Sequence, residues 1–137
     1  MVYAVIDTNV LLPALLTKNK DVATIKVYDA IADGLITPLY HKEILREYDE
    51  VLHRSKFGFT EDRIRLLLDM ILKYGIEAFP RPTGEKLIDM DDLIFYEVAM
   101  DNQERKAYLV TGNLKHYPQK DFIVTPSEMV TIIQNHK

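Results

Sequence analysis

A chain of 137 residues, 47% apolar and 28% charged, holds enough material for one ordinary hydrophobic core and too little for two. Seventeen lysines and arginines against 21 aspartates and glutamates leave a net charge of −4, which argues against a basic nucleic-acid coat but leaves room for a local basic rim beside an acidic site. The lack of cysteine removes disulfides, thiolate zinc sites and a cysteine nucleophile.

The first element is the apolar, β-branched run Val2-Tyr3-Ala4-Val5-Ile6, too uniformly apolar for an edge strand. Asp7 ends it and opens Asp7-Thr8-Asn9, after which Val10-Leu11-Leu12-Pro13-Ala14-Leu15-Leu16 reads as a helix from about Asn9 to Thr17. An unpaired buried charge costs several kcal/mol, so an acid at such a strand exit is capped, paired or bound to metal. In open parallel sheets that exit is also where ligands gather. A helix N-cap accounts for Asp7 equally well at this level.

A polar break, Lys18-Asn19-Lys20-Asp21, precedes a helical pattern through Ile25, Tyr28, Ala30 and Ile31 that stops near Gly34. Leu35-Ile36-Thr37-Pro38 is expected to form a short buried strand, feeding a helix from about Tyr40 to Arg54 with the apolar set Ile44, Leu45, Tyr48, Val51 and Leu52. Glu47 and Asp49 lie at opposite borders of that apolar face, and periodicity lets either one reach inward. The loop Ser55 to Phe59 leads to a helix capped by Thr60-Glu61-Asp62, with a stripe of Ile64, Leu67, Leu68, Ile71 and Leu72. A strand is expected over Ile76 to Phe79, followed by the loop Pro80-Arg81-Pro82-Thr83-Gly84.

The segment Asp89-Met90-Asp91-Asp92 opens a helix from Asp91 to about Asp101 that is apolar nearly all round and therefore buried. One acid of the cluster suffices for an N-cap. Asp92 shares a face with Phe95, Tyr96 and Ala99, and an inward acid asks for a partner. A strand from Ala107 to Val110 ends in Thr111-Gly112-Asn113, which reads either as a polar sheet edge beside Asp7 or as an ordinary turn. Lys115 and His116 follow as candidates for contact with a phosphate. A strand near Phe122 to Val124 and a helix from Pro126 complete the chain.

This alternation predicts one domain over 1–137, an α/β fold with a mainly parallel central sheet in a three-layer α/β/α sandwich. The apolar N-terminus carries no basic leader and no apolar stretch approaches membrane-spanning length, so a cytoplasmic protein is expected.

Four places taken together resemble the PIN-domain family of metal-dependent ribonucleases: Asp7-Thr8-Asn9 after the first strand, Glu47 within Ile44 to Leu52, Asp92 within Asp89 to Asp92, and Val110-Thr111-Gly112-Asn113. They stand in the family's order and are most similar to its branch of toxin components of toxin-antitoxin pairs. The resemblance implies that Asp7, Glu47 and Asp92 form a catalytic, metal-binding triad for Mg²⁺ or Mn²⁺. It implies that Thr8 and Asn9 orient Asp7 and that Thr111 supports the rim. It also implies an RNA substrate, a cognate antitoxin and a homodimer. Many members carry aspartate where this chain has Asn113, whose amide oxygen can ligate a cation but adds no charge. The implied chemistry is hydrolysis of single-stranded RNA by metal-activated water, which hard oxygen ligands suit.

Two other classes stay open. Asp7 could serve as a nucleophile in a phosphatase of the haloacid-dehalogenase kind, but such enzymes use a second aspartate two residues on, where this chain has Asn9. A non-catalytic PIN-like binding module is the other, with Asn113 as its main support.

Overall fold

The computed structural model describes residues 1–19 and 22–136, so Lys20 and Asp21 of the polar break lie outside the described residues. The first strand, β1 (Val2–Ile6), is buried almost throughout and runs into α1 (Thr8–Leu16) with only Asp7 between them. Next come α2 (Ala23–Ala32), β2 (Ile36–Tyr40) and α3 (Lys42–Leu52). They are followed by α4 (Glu61–Tyr74), β3 (Ile76–Glu77) and α5 (Leu93–Asp101). The chain ends with β4 (Tyr108–Val110), β5 (Ile123–Val124) and α6 (Pro126–Asn135). A Thr125–Glu128 capping box and Pro126 in the first turn start α6.

The five strands are all parallel, in the order β3-β2-β1-β4-β5. From β1 the chain steps outward to β2 and β3, then returns across the sheet to β4 and β5. Parallel crossovers are right-handed almost without exception, so steps in opposite directions from β1 put helices on opposite faces and give three layers. Helix α2 packs on α1, α4 and α6, α3 packs on α1 and α4, and α5 lies on β1 and β4. No helix among the described residues is long and apolar enough to cross a membrane.

Several boundaries differ from the sequence reading. The strand expected to end at Pro38 continues through Tyr40, and the helix expected from Tyr40 starts at Lys42. Proline lacks a ladder donor, yet it is tolerated here because β3 joins β2 only at Leu39 and Tyr40. The strand expected over Ile76 to Phe79 ends at Glu77, although the Ala78 N–H still donates to the Tyr40 carbonyl at 2.7 Å. Pro80 and the sheet edge limit it, and Phe79 stands 75% exposed. At Asp91 the chain first makes a 3₁₀ turn (Met90–Asp92), and the α-helix proper begins at Leu93.

Gly75 sets the spacing between α4 and the sheet. A Cβ there would lie 2.4 Å from the Ile71 carbonyl oxygen and 2.8 Å from that of Pro38, both backbone atoms that cannot swing away. Gly75→Ala is therefore expected to destabilise the fold by about 2–4 kcal/mol in chemical denaturation.

Candidate active site

Strand register builds the site. β1 and β4 pair with Ile6 opposite Val110, so the next residues, Asp7 and Thr111, emerge side by side at the carboxyl end of the sheet. The Asp7 N–H extends this ladder to the Val110 carbonyl at 2.9 Å. β1 is the strand from which the chain departs toward both edges, and open α/β sheets place ligand crevices at such a switch point.

Asp7 is only 5% exposed, and its charge is met by donors. Its Oδ2 accepts from the Thr111 hydroxyl at 3.0 Å and from the Tyr117 hydroxyl at 2.8 Å. Its Oδ1 takes a long contact, 3.4 Å, from the Asn9 N–H as the N-cap of α1. The cap and the buried candidate acid are thus one residue. Asn9 braces the neighbouring loop: its Oδ1 accepts from the Gly112 N–H at 2.9 Å and its Nδ2 donates to Thr111 Oγ1 at 3.4 Å. The Asn113 N–H also donates to Thr111 Oγ1, at 3.0 Å, at the start of a 3₁₀ turn (Leu114–His116).

The choice between Glu47 and Asp49 is made by packing. Ile44, Tyr48 and Leu52 form the buried face of α3, and the Tyr48 hydroxyl donates to the Ile6 carbonyl, locking the rotation of the helix against the end of β1. Glu47 then turns to the site, half-buried, where the Thr8 hydroxyl donates to its Oε2. Asp49 is exposed and pairs with His53 at 3.2 Å, whose other ring nitrogen lies 2.6 Å from Glu61. Thr8 therefore supports Glu47 rather than Asp7. As the first residue of α1 it projects in a different direction from the cap.

In the third acidic segment, Asp89 caps the turn by accepting from the Asp91 N–H at 3.0 Å, Asp91 is exposed, and Asp92 turns inward. Its partner is His116, whose Nδ1 lies 3.2 Å from Oδ2. Lys115 is exposed beside it.

The acids feel one another. Burial, then the charges of Asp7, Asp92 and Asp91, raise Glu47 to about 7 in spite of the bond from Thr8. Burial, then Asp7 and Asp89, raise Asp92 to about 6 in spite of His116. Such a set of oxygen donors, reluctant to ionise without a counter-charge, suits a hard divalent cation. Among the described residues, however, no three acidic or imidazole side chains are gathered closely enough to hold an ion as they stand. The carboxylates are tied instead to Thr8, to Thr111 and Tyr117, and to His116.

A PIN-domain family model matches residues 3–115, from β1 through the turn after Asn113. The chain belongs to the PIN-domain family. That membership carries nuclease chemistry at the level of the family, whose members typically use divalent metals. No curated protein matches the chain.

Tyr117 went unseen in the sequence. It is 7% exposed, and burial together with the Asp7 charge raises its phenol well above the ordinary value, so it stays protonated and donates. It sits in a loop without periodicity, so no local pattern marked it as buried. Tyr117→Phe is expected to leave Asp7 short of a donor and to cost about 2 kcal/mol in urea denaturation at neutral pH.

The coupled acids also predict a pH dependence. The folded state holds the Glu47 proton more tightly than the unfolded chain, so metal-free stability falls as pH rises from 4.5 to about 7. Asp92 adds the same trend between 3.8 and about 6. Glu47→Gln should flatten this slope and leave the variant about 1–2 kcal/mol more stable than its parent above pH 7, after allowance for screening at a half-exposed site. Melting temperatures in chelator across this range check it.

Proposed function

We propose that this PIN domain is a metal-dependent endoribonuclease that hydrolyses single-stranded RNA, the toxin of a toxin-antitoxin pair. The observation that carries the reading is the coupling of three acids from separate elements, Asp7 after β1, Glu47 on α3 and Asp92 before α5, beside the switch point of a parallel sheet. Asp7, Glu47, Asp92 and the amide of Asn113 would hold Mg²⁺ or Mn²⁺. Such an ion, when bound, supplies water of lowered pKa and a counter-charge for the scissile phosphate.

The protein's own groups prepare that arrangement. Thr111 and Tyr117 grip one oxygen of Asp7 and fix the plane of its carboxylate. Thr8 orients Glu47, and His116 holds Asp92. Asn9 ties the Gly112 backbone to α1, which keeps Thr111 and Asn113 at the rim. A cognate antitoxin and a homodimer belong to the same proposal and rest on the resemblance to the toxin branch alone.

The phosphatase reading is disfavoured by Asn9. Its amide is bound to Gly112 and Thr111 and has no proton to exchange in acid-base work. A non-catalytic module is the second reading, favoured by acids that are not gathered to hold an ion and by the missing charge at Asn113.

The expected outcome is cleavage of single-stranded RNA with Mg²⁺ or Mn²⁺ and none in chelator. Asp7→Asn should lower the rate by about 10²- to 10⁴-fold. Cleavage that persists in chelator, or in rigorously purified Asp7→Asn protein, rejects the mechanism. Calorimetry showing no Mn²⁺ binding selects the non-catalytic module.

A further inference from the structure

Two concave surfaces open from different members of the site, and they differ in charge. The first, about 390 Å³, lies between α3 and α5 and begins at Glu47. Its walls set five carboxylates, Glu43, Glu47, Glu50, Asp91 and Glu97, against the guanidiniums of Arg46 and Arg54. The second, about 380 Å³, begins at Tyr117 and runs along the β4–β5 connection. It carries Lys115 and Lys120 and no carboxylate, over Leu114, Pro118, Gln119 and Ile123.

A nucleic-acid strand brings one negative charge per nucleotide, so like charge resists its entry between α3 and α5. The second groove offers what a single strand needs: positive charge for the backbone, an apolar floor for a base, and an amide for a base edge. Both lysines are exposed, and among the described residues neither stands in an ion pair. The groove is also tied to the acids. Immediately after Lys115, His116 reaches Asp92 and Tyr117 reaches Asp7, so the turn bearing the lysine is held at both carboxylates.

We propose that this groove binds the nucleotide flanking the scissile phosphate of a single-stranded RNA, its backbone on Lys115 and Lys120, and that the strand leaves the site over the β4–β5 connection. The proposal rests on the nuclease reading of the same acids. Lys120, Leu114, Pro118 and Gln119 become substrate-contacting residues, whereas Arg46 and Arg54 do not contact the strand.

The test is fluorescence anisotropy of a short labelled single-stranded RNA over a salt series, with Asp7→Asn protein or with the unaltered chain in chelator. Combining Lys115→Gln with Lys120→Gln should weaken binding about tenfold at low salt and reduce the salt slope by about 1.4, the loss expected for two phosphate contacts. The melting temperature should not move, since both side chains are exposed. Unchanged affinity and slope would overturn the groove assignment, as would a loss produced instead by Arg46→Gln with Arg54→Gln. If the unaltered chain cleaves RNA while the lysine variant binds normally, the groove assignment alone falls. Lysine-dependent binding without any cleavage keeps the groove and removes the nuclease reading, and a chain that binds no RNA overturns both.

Discussion

A carboxylate at 5% exposure needs donors, and the side-chain donors to Asp7 come from residues 104 and 110 positions away. That requirement ties the start of the chain to its last third. Thr111 can donate only because β4 pairs with β1 in one register, and Tyr117 only because the turn after Asn113 folds back over the sheet end. A slip of one residue along β4 would turn Thr111 to the other face and take from Asp7 one of its two side-chain donors. The parallel pairing of β1 and β4 and the satisfaction of Asp7 therefore stand or fall together.

Around that acid the fold keeps two more in an arrangement that opposes ionisation. Glu47 and Asp92 are both raised by burial and by the charge of Asp7, a cost that a structure selected for stability alone would shed by substituting an amide. Carboxylates held this way have a use when a cation or a proton arrives. The bond from Thr8 to Glu47 and the contact of His116 with Asp92 oppose that rise without cancelling it.

The distribution of the remaining charge gives the site a direction. A net charge of −4 is a poor match for RNA, but the average hides a surface in which acids crowd the α3–α5 cleft while lysines line the groove at Tyr117. On the proposed reading, the anionic strand meets the site along its lysine side.

The sequence by itself determined the α/β class and nearly every element, because hydrophobic periodicity and caps such as Thr60 and Thr125 are local signals. It also marked Asp7, Glu47, Asp92 and Thr111 as candidates, through acids and small polar residues placed against apolar runs. Its boundaries failed where a neighbour decided them, as at Pro38, which survives in β2 because β3 begins one residue later. Only the tertiary structure chose Glu47 over Asp49, since both border the apolar face of α3 and the Tyr48 bond to Ile6 selects the rotation. It alone assigned Thr8 to Glu47 and brought Tyr117 to Asp7. Helical and strand periods record which way a side chain faces its own element; a hydrogen bond across more than a hundred residues depends on how separate elements dock, and no local pattern encodes that.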